Sequence, residues 1–367
     1  KNVSDAIVSL QRLNRFFLLP TLRNIKARQH VDLPKIKIDH ADFTWQDSSL
    51  APKKAERSPS KRVETDPTSQ TINVNEIELS ERKDNEQVDI ESIQEDNAYF
   101  RFSNLNFHTT NSNDLIAVIG PVGSGKSSFM SALLGEMILQ RGKSEISGTV
   151  SYCAQTPWIQ NITLRQNVLF KVDQEHATEE VNQLYHASIE AAALLPDIKI
   201  LPAGDMTEIG ERGINLSGGQ KARVSIARAF FTSYSSQICL FDDPFSAVDG
   251  NTGNAIFQRG ILRLLENKLR IIALNSHMHL LKYFDRVVVL QNGRIFADGT
   301  LSELFNKYPD EMAKITGLKA EEILRSDAES NAEEGEELKK SLSARALDVG
   351  EASSSSLYAE VAASLER

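Results

Sequence analysis

Apolar and polar residues alternate regularly through the middle of the chain and lose all order in two stretches. Ile36, Ile38, Ala41 and Phe43 recur at nearly every second position, which predicts a half-buried strand leading to Trp45. A further strand is expected over Tyr99–Phe107. Leu115-Ile116-Ala117-Val118-Ile119 is apolar at every position, the pattern of a strand buried on both faces. From Lys126 onward, Met130, Leu133, Leu134 and Met137 recur at helical spacing. Helices are predicted over Leu164–Phe170, Glu179–Ala193 and Thr252–Leu265, and strands over Thr149–Cys153, Ile238–Asp242, Arg270–Leu274 and Arg286–Leu290. Asn292-Gly293 predicts a tight hairpin into Arg294–Ala297. The mixture of buried strands and helices makes this an α/β fold.

Residues 46–98 break the pattern. They contain no aromatic residue, and a basic half (Lys53, Lys54, Arg57, Lys61, Arg62) gives way to an acidic one (Glu76, Glu78, Glu81, Glu86, Glu91, Glu95). Such a composition buries too little apolar surface to offset the entropy of ordering, so a disordered insertion is expected. Residues 320–367 turn acidic and Ser-rich in the same way, and a short helix followed by a disordered linker is expected there. No apolar run approaches the roughly 18 residues of a membrane-spanning helix. The chain opens on Lys1 without a signal peptide and is expected to be a segment of a longer protein. The formal net charge of −9 argues against nonspecific nucleic-acid binding. Cys153 and Cys239 both fall in predicted core strands and are expected to be buried free thiols.

Gly120-Pro121-Val122-Gly123-Ser124-Gly125-Lys126-Ser127-Ser128 follows the fully apolar strand and opens the predicted helix. That order of strand, Gly-rich turn and helix is the context a phosphate-binding loop requires. Gly123 and Gly125 permit backbone angles that turn successive N–H groups inward, and the helix start adds donors and partial positive charge. Lys126 is placed to reach β- and γ-phosphates, Ser127 to ligate Mg²⁺, and Ser128 to hold the α-phosphate. The strand Ile238–Asp242 ends in acid, which suits Asp242 to hold Mg²⁺ through water. About a hundred residues beyond the loop stands Leu216-Ser217-Gly218-Gly219-Gln220. Its glycines allow close approach, and a helix begins there whose N-terminus favours anions.

These motifs resemble the nucleotide-binding domain of an ATP-binding-cassette (ABC) transporter. The likeness is to the first such domain of the C subfamily, the group of multidrug-resistance-associated proteins and the cystic fibrosis transmembrane conductance regulator. It covers about residues 35–316 and includes, in order, Phe43-Thr44-Trp45, the phosphate loop, Tyr152-Cys153-Ala154-Gln155 and Pro157-Trp158-Ile159. Glu208 to Gly213, Leu216 to Gln220, Asp242-Asp243-Pro244 and Ser246-Ala247-Val248-Asp249 follow. The resemblance implies a P-loop NTPase (RecA-like) core with an antiparallel β subdomain and a helical subdomain inserted over 160–215. ATP and Mg²⁺ are the implied ligands. Trp45 is implied to stack on adenine, the alternative being simple packing in a sheet. Gln155 is implied to touch Mg²⁺ and relay nucleotide state. The Ser217-Gly218-Gly219 backbone is implied to meet the γ-phosphate of ATP held by a partner domain. The implied partners are a second nucleotide-binding domain and transmembrane domains, which places this chain on the cytoplasmic face of a membrane. Residues 1–34 then become a connector from a missing transmembrane domain, with Val3, Ala6, Ile7, Leu10, Leu13 and Phe17 on one helical face. A local packing helix is the rival reading. Residues 317–367 become an extension toward the next membrane domain.

Two departures from the family pattern fall in one site. Asp243 stands where efficient hydrolysers carry Glu, one methylene longer, and a misplacement of about 1 Å costs on the order of 10²-fold in rate. At the switch histidine, Ser276 stands nine residues before Asp285, and His277 is one place late. Either fills the position, His277 only if the register slips by one. The expected outcome is a slowly hydrolysing site with an intact signature. The alternative is an ATP-gated, channel-regulating module with little hydrolysis. A soluble ATPase acting on DNA fits poorly, because only about ninety residues separate loop and signature. The resemblance also extends to a regulatory insertion at 46–98. Arg57-Ser58-Pro59-Ser60-Lys61, and Ser341 and Ser343 beside Lys339 and Lys340, offer sites to a protein kinase, with a passive loop as the rival.

Overall fold

The computed structural model describes residues 29–45, 100–170, 178–210 and 216–320. The expected connector helix, the insertion, Glu211 to Gly213 of the Glu208–Gly213 motif and the Ser-rich extension beyond Ala320 lie outside them. The strands are β1 (Lys35–Thr44), β2 (Arg101–His108), β3 (Leu115–Ile119), β4 (Ile138–Ser147), β5 (Val150–Cys153), β6 (Ile238–Asp242), β7 (Leu269–Ala273), β8 (Arg286–Gln291) and β9 (Arg294–Gly299). The helices are α1 (Lys126–Leu134), α2 (Leu164–Leu169), α3 (Glu179–Ala191), α4 (Leu195–Ile200), α5 (Gly218–Ser233), α6 (Gly250–Ile256), α7 (Leu301–Lys307) and α8 (Pro309–Thr316).

A six-stranded sheet of order β5-β6-β7-β3-β8-β9 forms the centre. Its first five strands run parallel, and β9 returns antiparallel through the Asn292-Gly293 turn. Both turn residues have positive φ, 48° and 68°, as such a two-residue hairpin requires. Every residue of β3, β6 and β7 is buried, and their side chains alternate between two cores. Ile116, Val118, Ile238 and Leu240 pack with α1 and the second sheet. Leu115, Ala117, Ile119, Cys239 and Phe241 pack with the helices on the opposite face. The fully apolar run at 115–119 thus behaves as its pattern predicts.

The second sheet, β2-β1-β4, is antiparallel and covers one face of the first. Strand β4 has no counterpart in the apolar pattern. Met137 precedes it rather than extending α1, because Gly135 takes the left-handed conformation (φ 83°) and ends the helix. No residue of β4 is fully buried, so its pairing to β1 rests on backbone hydrogen bonds rather than on an alternating apolar face. Opposite Gly142, β1 carries one extra residue, and His40 adopts φ 46° to accommodate it. Upstream, the side-chain amide of Gln237 grips Val31 from both sides: its Oε1 accepts from Val31 N (3.0 Å) and its Nε2 donates to Val31 O.

On the other face, α2 and α3 pack against α5. Arg228 of α5 is half-buried, donating to the carbonyls of Trp158 and Asn167 and to Asn167 Oδ1. Both cysteines are buried and unpaired. Burial pushes the Cys153 thiol up to about 11 and the Cys239 thiol also upward.

The predicted helix at 252–265 forms, but its second half differs. After Ile256 the backbone widens into a π-helix over Phe257–Leu264. The physical reason is tertiary packing. Gly260 lies so close to the Phe230 ring that a Cβ there would overlap it, while Phe257 stacks at 6.2 Å from Phe245 and 5.6 Å from Phe284. The wider turn seats these rings at the cost of regular geometry. Gly260→Ala is therefore expected to destabilise the fold by roughly 1–3 kcal/mol through overpacking, measured as a lower urea midpoint with unchanged slope.

Candidate functional site

The carboxyl ends of β3, β6 and β7 converge, and the residues singled out in the sequence gather there. Gly120 leaves β3 at φ 151°, and Gly123 (φ 82°) and Gly125 (φ 104°) shape the loop before α1. Gly120 is held against the carbonyl of Leu290, and Gly125 against the ring of Phe100, so neither has room for a side chain. Phe100 is a part of the site that the motif alone did not reveal. Pro121, Val122 and Gly123 form the exposed crest, with Val122 almost wholly in solvent. Inside the crest, the Lys126 ammonium donates to the carbonyls of Gly120 (2.6 Å) and Pro121 (3.0 Å). The Ser124 hydroxyl is buried beside Gly120 with no hydrogen-bond partner among the described residues.

The electrostatics follow from burial. Lys126 is lowered from its ordinary value chiefly by burial, with Asp243 and Asp242 opposing the shift. Asp242 is raised chiefly by burial, with the Ser127 hydroxyl hydrogen-bonded to it and opposing. Tyr152 of β5 donates to the same carboxylate and is raised mainly by its own burial. A buried carboxylate held partly against ionisation gains from a neighbouring cation. No group of three or more His, Cys, Asp or Glu side chains gathers among the described residues. A carboxylate and a hydroxyl suit a cation that keeps most of its own water, which is the habit of Mg²⁺. The loop's positive-φ glycines, the Ser124 hydroxyl and the ammonium suit the donor set of a phosphate cradle.

Asp243 is 2% exposed and adopts φ 47°, a conformation uncommon outside glycine. Its carboxylate accepts from Asn275 Nδ2 (2.7 Å) and Asn275 N (3.3 Å), and more distantly from Gln155 Nε2 (3.5 Å). Asn275, the first polar residue after β7, escaped notice in the sequence; its position at a strand end beside the acid was the available signal. Trp45 is 44% exposed just beyond β1, and its indole Nε1 donates to Ser128 Oγ (3.2 Å). It is therefore not packed within the sheet.

Beyond β7, Ser276 Oγ meets His277 Nδ1 at 2.9 Å. His277 takes φ 58° and turns its ring toward Phe245, His279 and Gly253. Its Nε2 is buried without a hydrogen-bond partner among the described residues. The signature residues lie apart: Leu216 is buried, and Ser217 caps α5. Among the described residues they share no hydrogen bond with the phosphate loop.

Burial and His279 hold the His277 pKa below its ordinary 6.5. Below that value the unfolded chain binds a proton that the folded chain resists, so His277 costs stability as pH falls through 6.5, until its folded value is reached. His277→Asn, which tolerates the left-handed backbone, should gain on the parent as pH drops from about 7.5 to about 5.5. Parallel urea midpoints over that range would contradict this.

Comparisons with known proteins bear on this site. Residues 102–246 match the family model described as "ABC transporter". The chain is 38% identical over 306 residues to "ABC-type transporter cicA" of Emericella nidulans, covering 82% of this chain and 20% of that protein. It is 41% identical over 309 residues to "ABC transporter C family member 8" of Dictyostelium discoideum, covering 83% and 16%. It is 50% identical over 195 residues to "ATP-binding cassette sub-family C member 2" of Homo sapiens, covering 53% and 12%. The chain thus spans a fifth or less of the length of these relatives.

Proposed function

The chain carries the ATP-binding domain of the ABC transporter C family, an α/β P-loop fold, and from that premise we propose a division of labour between two sites. This domain holds Mg-ATP at a slowly hydrolysing site and lends its signature to a partner nucleotide-binding domain. ATP then acts as the glue of a dimer whose formation drives export across a membrane through transmembrane domains.

The observation that carries the reading is the state of Asp243. Hydrolysis needs a proton acceptor within hydrogen-bond reach of the attacking water. The residue in that place has the shorter carboxylate side chain, is buried, and already accepts from both donors of Asn275. A carboxylate so held orients poorly toward a water. The rest of the site is built to bind. Trp45 is free to offer its ring to adenine. Ser124, Lys126 and Ser128 hold phosphate oxygens, with the backbone N–H groups of Val122 to Gly125 around them. Ser127, Asp242 and Gln155 hold Mg²⁺, which when bound neutralises charge on the β- and γ-phosphates. Ser276 and His277 support the same conclusion. The imidazole faces Gly253 and Phe245, and the Ser276 hydroxyl is paired with the imidazole Nδ1. Neither is arranged as a donor to a γ-phosphate.

Two outcomes are expected. Mg-ATP at about a hundred times its dissociation constant should stabilise the chain by about 2.7 kcal/mol, and Lys126→Ala should abolish the rise in melting temperature. Phosphate release by the purified chain at saturating Mg-ATP should not exceed that of Lys126→Ala. Sustained turnover well above that blank would mean that Asp243 is a competent base and that the slow-site reading is wrong.

A further inference from the structure

Helix α4 contributes one acidic side chain, Asp197, to a network that ends on the signature. Asp197 takes Arg223 of α5 in a bidentate pair, with Arg223 Nε to Oδ2 at 3.0 Å and Nη2 to Oδ2 at 2.7 Å and to Oδ1 at 2.9 Å. Both side chains are largely withdrawn from solvent, 15% and 12% exposed, so salt screens the pair little. The same carboxylate accepts from Gln220 Nε2 at 3.1 Å. That bond fixes which end of the Gln220 amide faces the helix start. Its Oε1 accepts from Ser217 N at 2.8 Å, while Gln220 N donates to Ser217 Oγ at 3.2 Å. The result is a closed capping box at the first turn of α5.

The box determines what the signature has left to offer. An α-helix leaves its first amides without intrahelical partners. Here the Ser217 and Gln220 amides are satisfied by the box, and Lys221 N donates to Ser217 O at 3.0 Å. Among the described residues, the Gly218 and Gly219 amides are left without a partner. Helix α4 buries none of its residues fully, so Asp197 supplies a directional tie between it and α5 that apolar packing does not.

We propose that Asp197 is a positioning residue for the signature: through Arg223 and Gln220 it fixes the first turn of α5, so that the Gly218 and Gly219 amides point outward together. Its importance for turnover rests on the reading that the signature serves a partner's ATP. Its effect on the first turn does not.

The test has two arms. In the purified chain, amide hydrogen exchange is compared for the parent, Asp197→Asn and Asp197→Glu. Asp197→Asn, equal in shape but uncharged, should speed exchange across 216–223 about tenfold, with β3 and β6 unchanged. Asp197→Glu should restore part of the protection. Unchanged exchange across 216–223, or a uniform loss throughout the chain, overturns the proposal. In the intact transporter, Asp197→Asn should raise the KM for ATP several-fold. It should have no further effect in a Gly218→Asp background, where a carboxylate already opposes phosphate; a Cβ at Gly218 meets nothing within 4 Å. An equal additional loss in that background overturns the proposal. If Gly218→Asp itself leaves turnover intact, the partner-site reading fails, and the exchange arm still decides whether Asp197 orders the first turn.

Discussion

The organising constraint is a parallel sheet whose central strands are buried on both faces. Such strands have no solvated side to which charge can retreat. Whatever chemistry they carry must sit at their carboxyl ends, where Gly120, Asp242 and the Asp243–Asn275 pair emerge from β3, β6 and β7. The loop at Gly120 cannot widen, because the Leu290 carbonyl of β8 lies against it. The site therefore inherits its rigidity from five parallel strands rather than from its own few hydrogen bonds. An ammonium and a carboxylate, Lys126 and Asp242, are each held partly out of water, and each is driven toward neutrality. A polyanion with its counter-cation relieves both penalties at once, which is a physical reason for such a site to bind tightly even where it turns over slowly.

Much of this was legible in the sequence, for identifiable reasons. The apolar run at 115–119, the acid ending 238–242 and the glycine loop are local patterns with a single physical solution, and the structure places them together. Trp45 is exposed and bonded to Ser128 rather than packed in the sheet, an outcome its alternating approach left open. What escaped was non-local. Strand β4 pairs through its backbone with β1 and carries little apolar signal. The π-helix after Ile256 answers to the ring of Phe230, a residue distant in sequence. Asn275 and Asp197 are ordinary polar residues until the fold brings a carboxylate or an amide to them. Periodicity reports which face a residue turns inward, and it is silent on which polar group it will meet there.

The helices beside the sheet show a second economy. Arg228 and Arg223 lie on the same helix, α5, and both half-buried side chains are spent on the protein itself, one on the carbonyls of Trp158 and Asn167, the other on Asp197. Guanidinium groups of this kind tie elements together by direction as well as by contact. The helix that bears the signature is thereby linked at one point to the strand-end loop carrying Gln155 and Trp158, and at another to α4. Its orientation is set by several elements rather than by its own packing alone.

The two buried thiols lend the molecule an internal clock. Cys153 and Cys239 stand on the adjacent strands β5 and β6, and both are displaced toward the unreactive, protonated form. A thiol reagent reaches them only when those strands part. The pace at which the chain takes up such a label therefore counts how often the sheet that carries the nucleotide site opens, and ligand-induced slowing of that pace reads out binding with no need for hydrolysis.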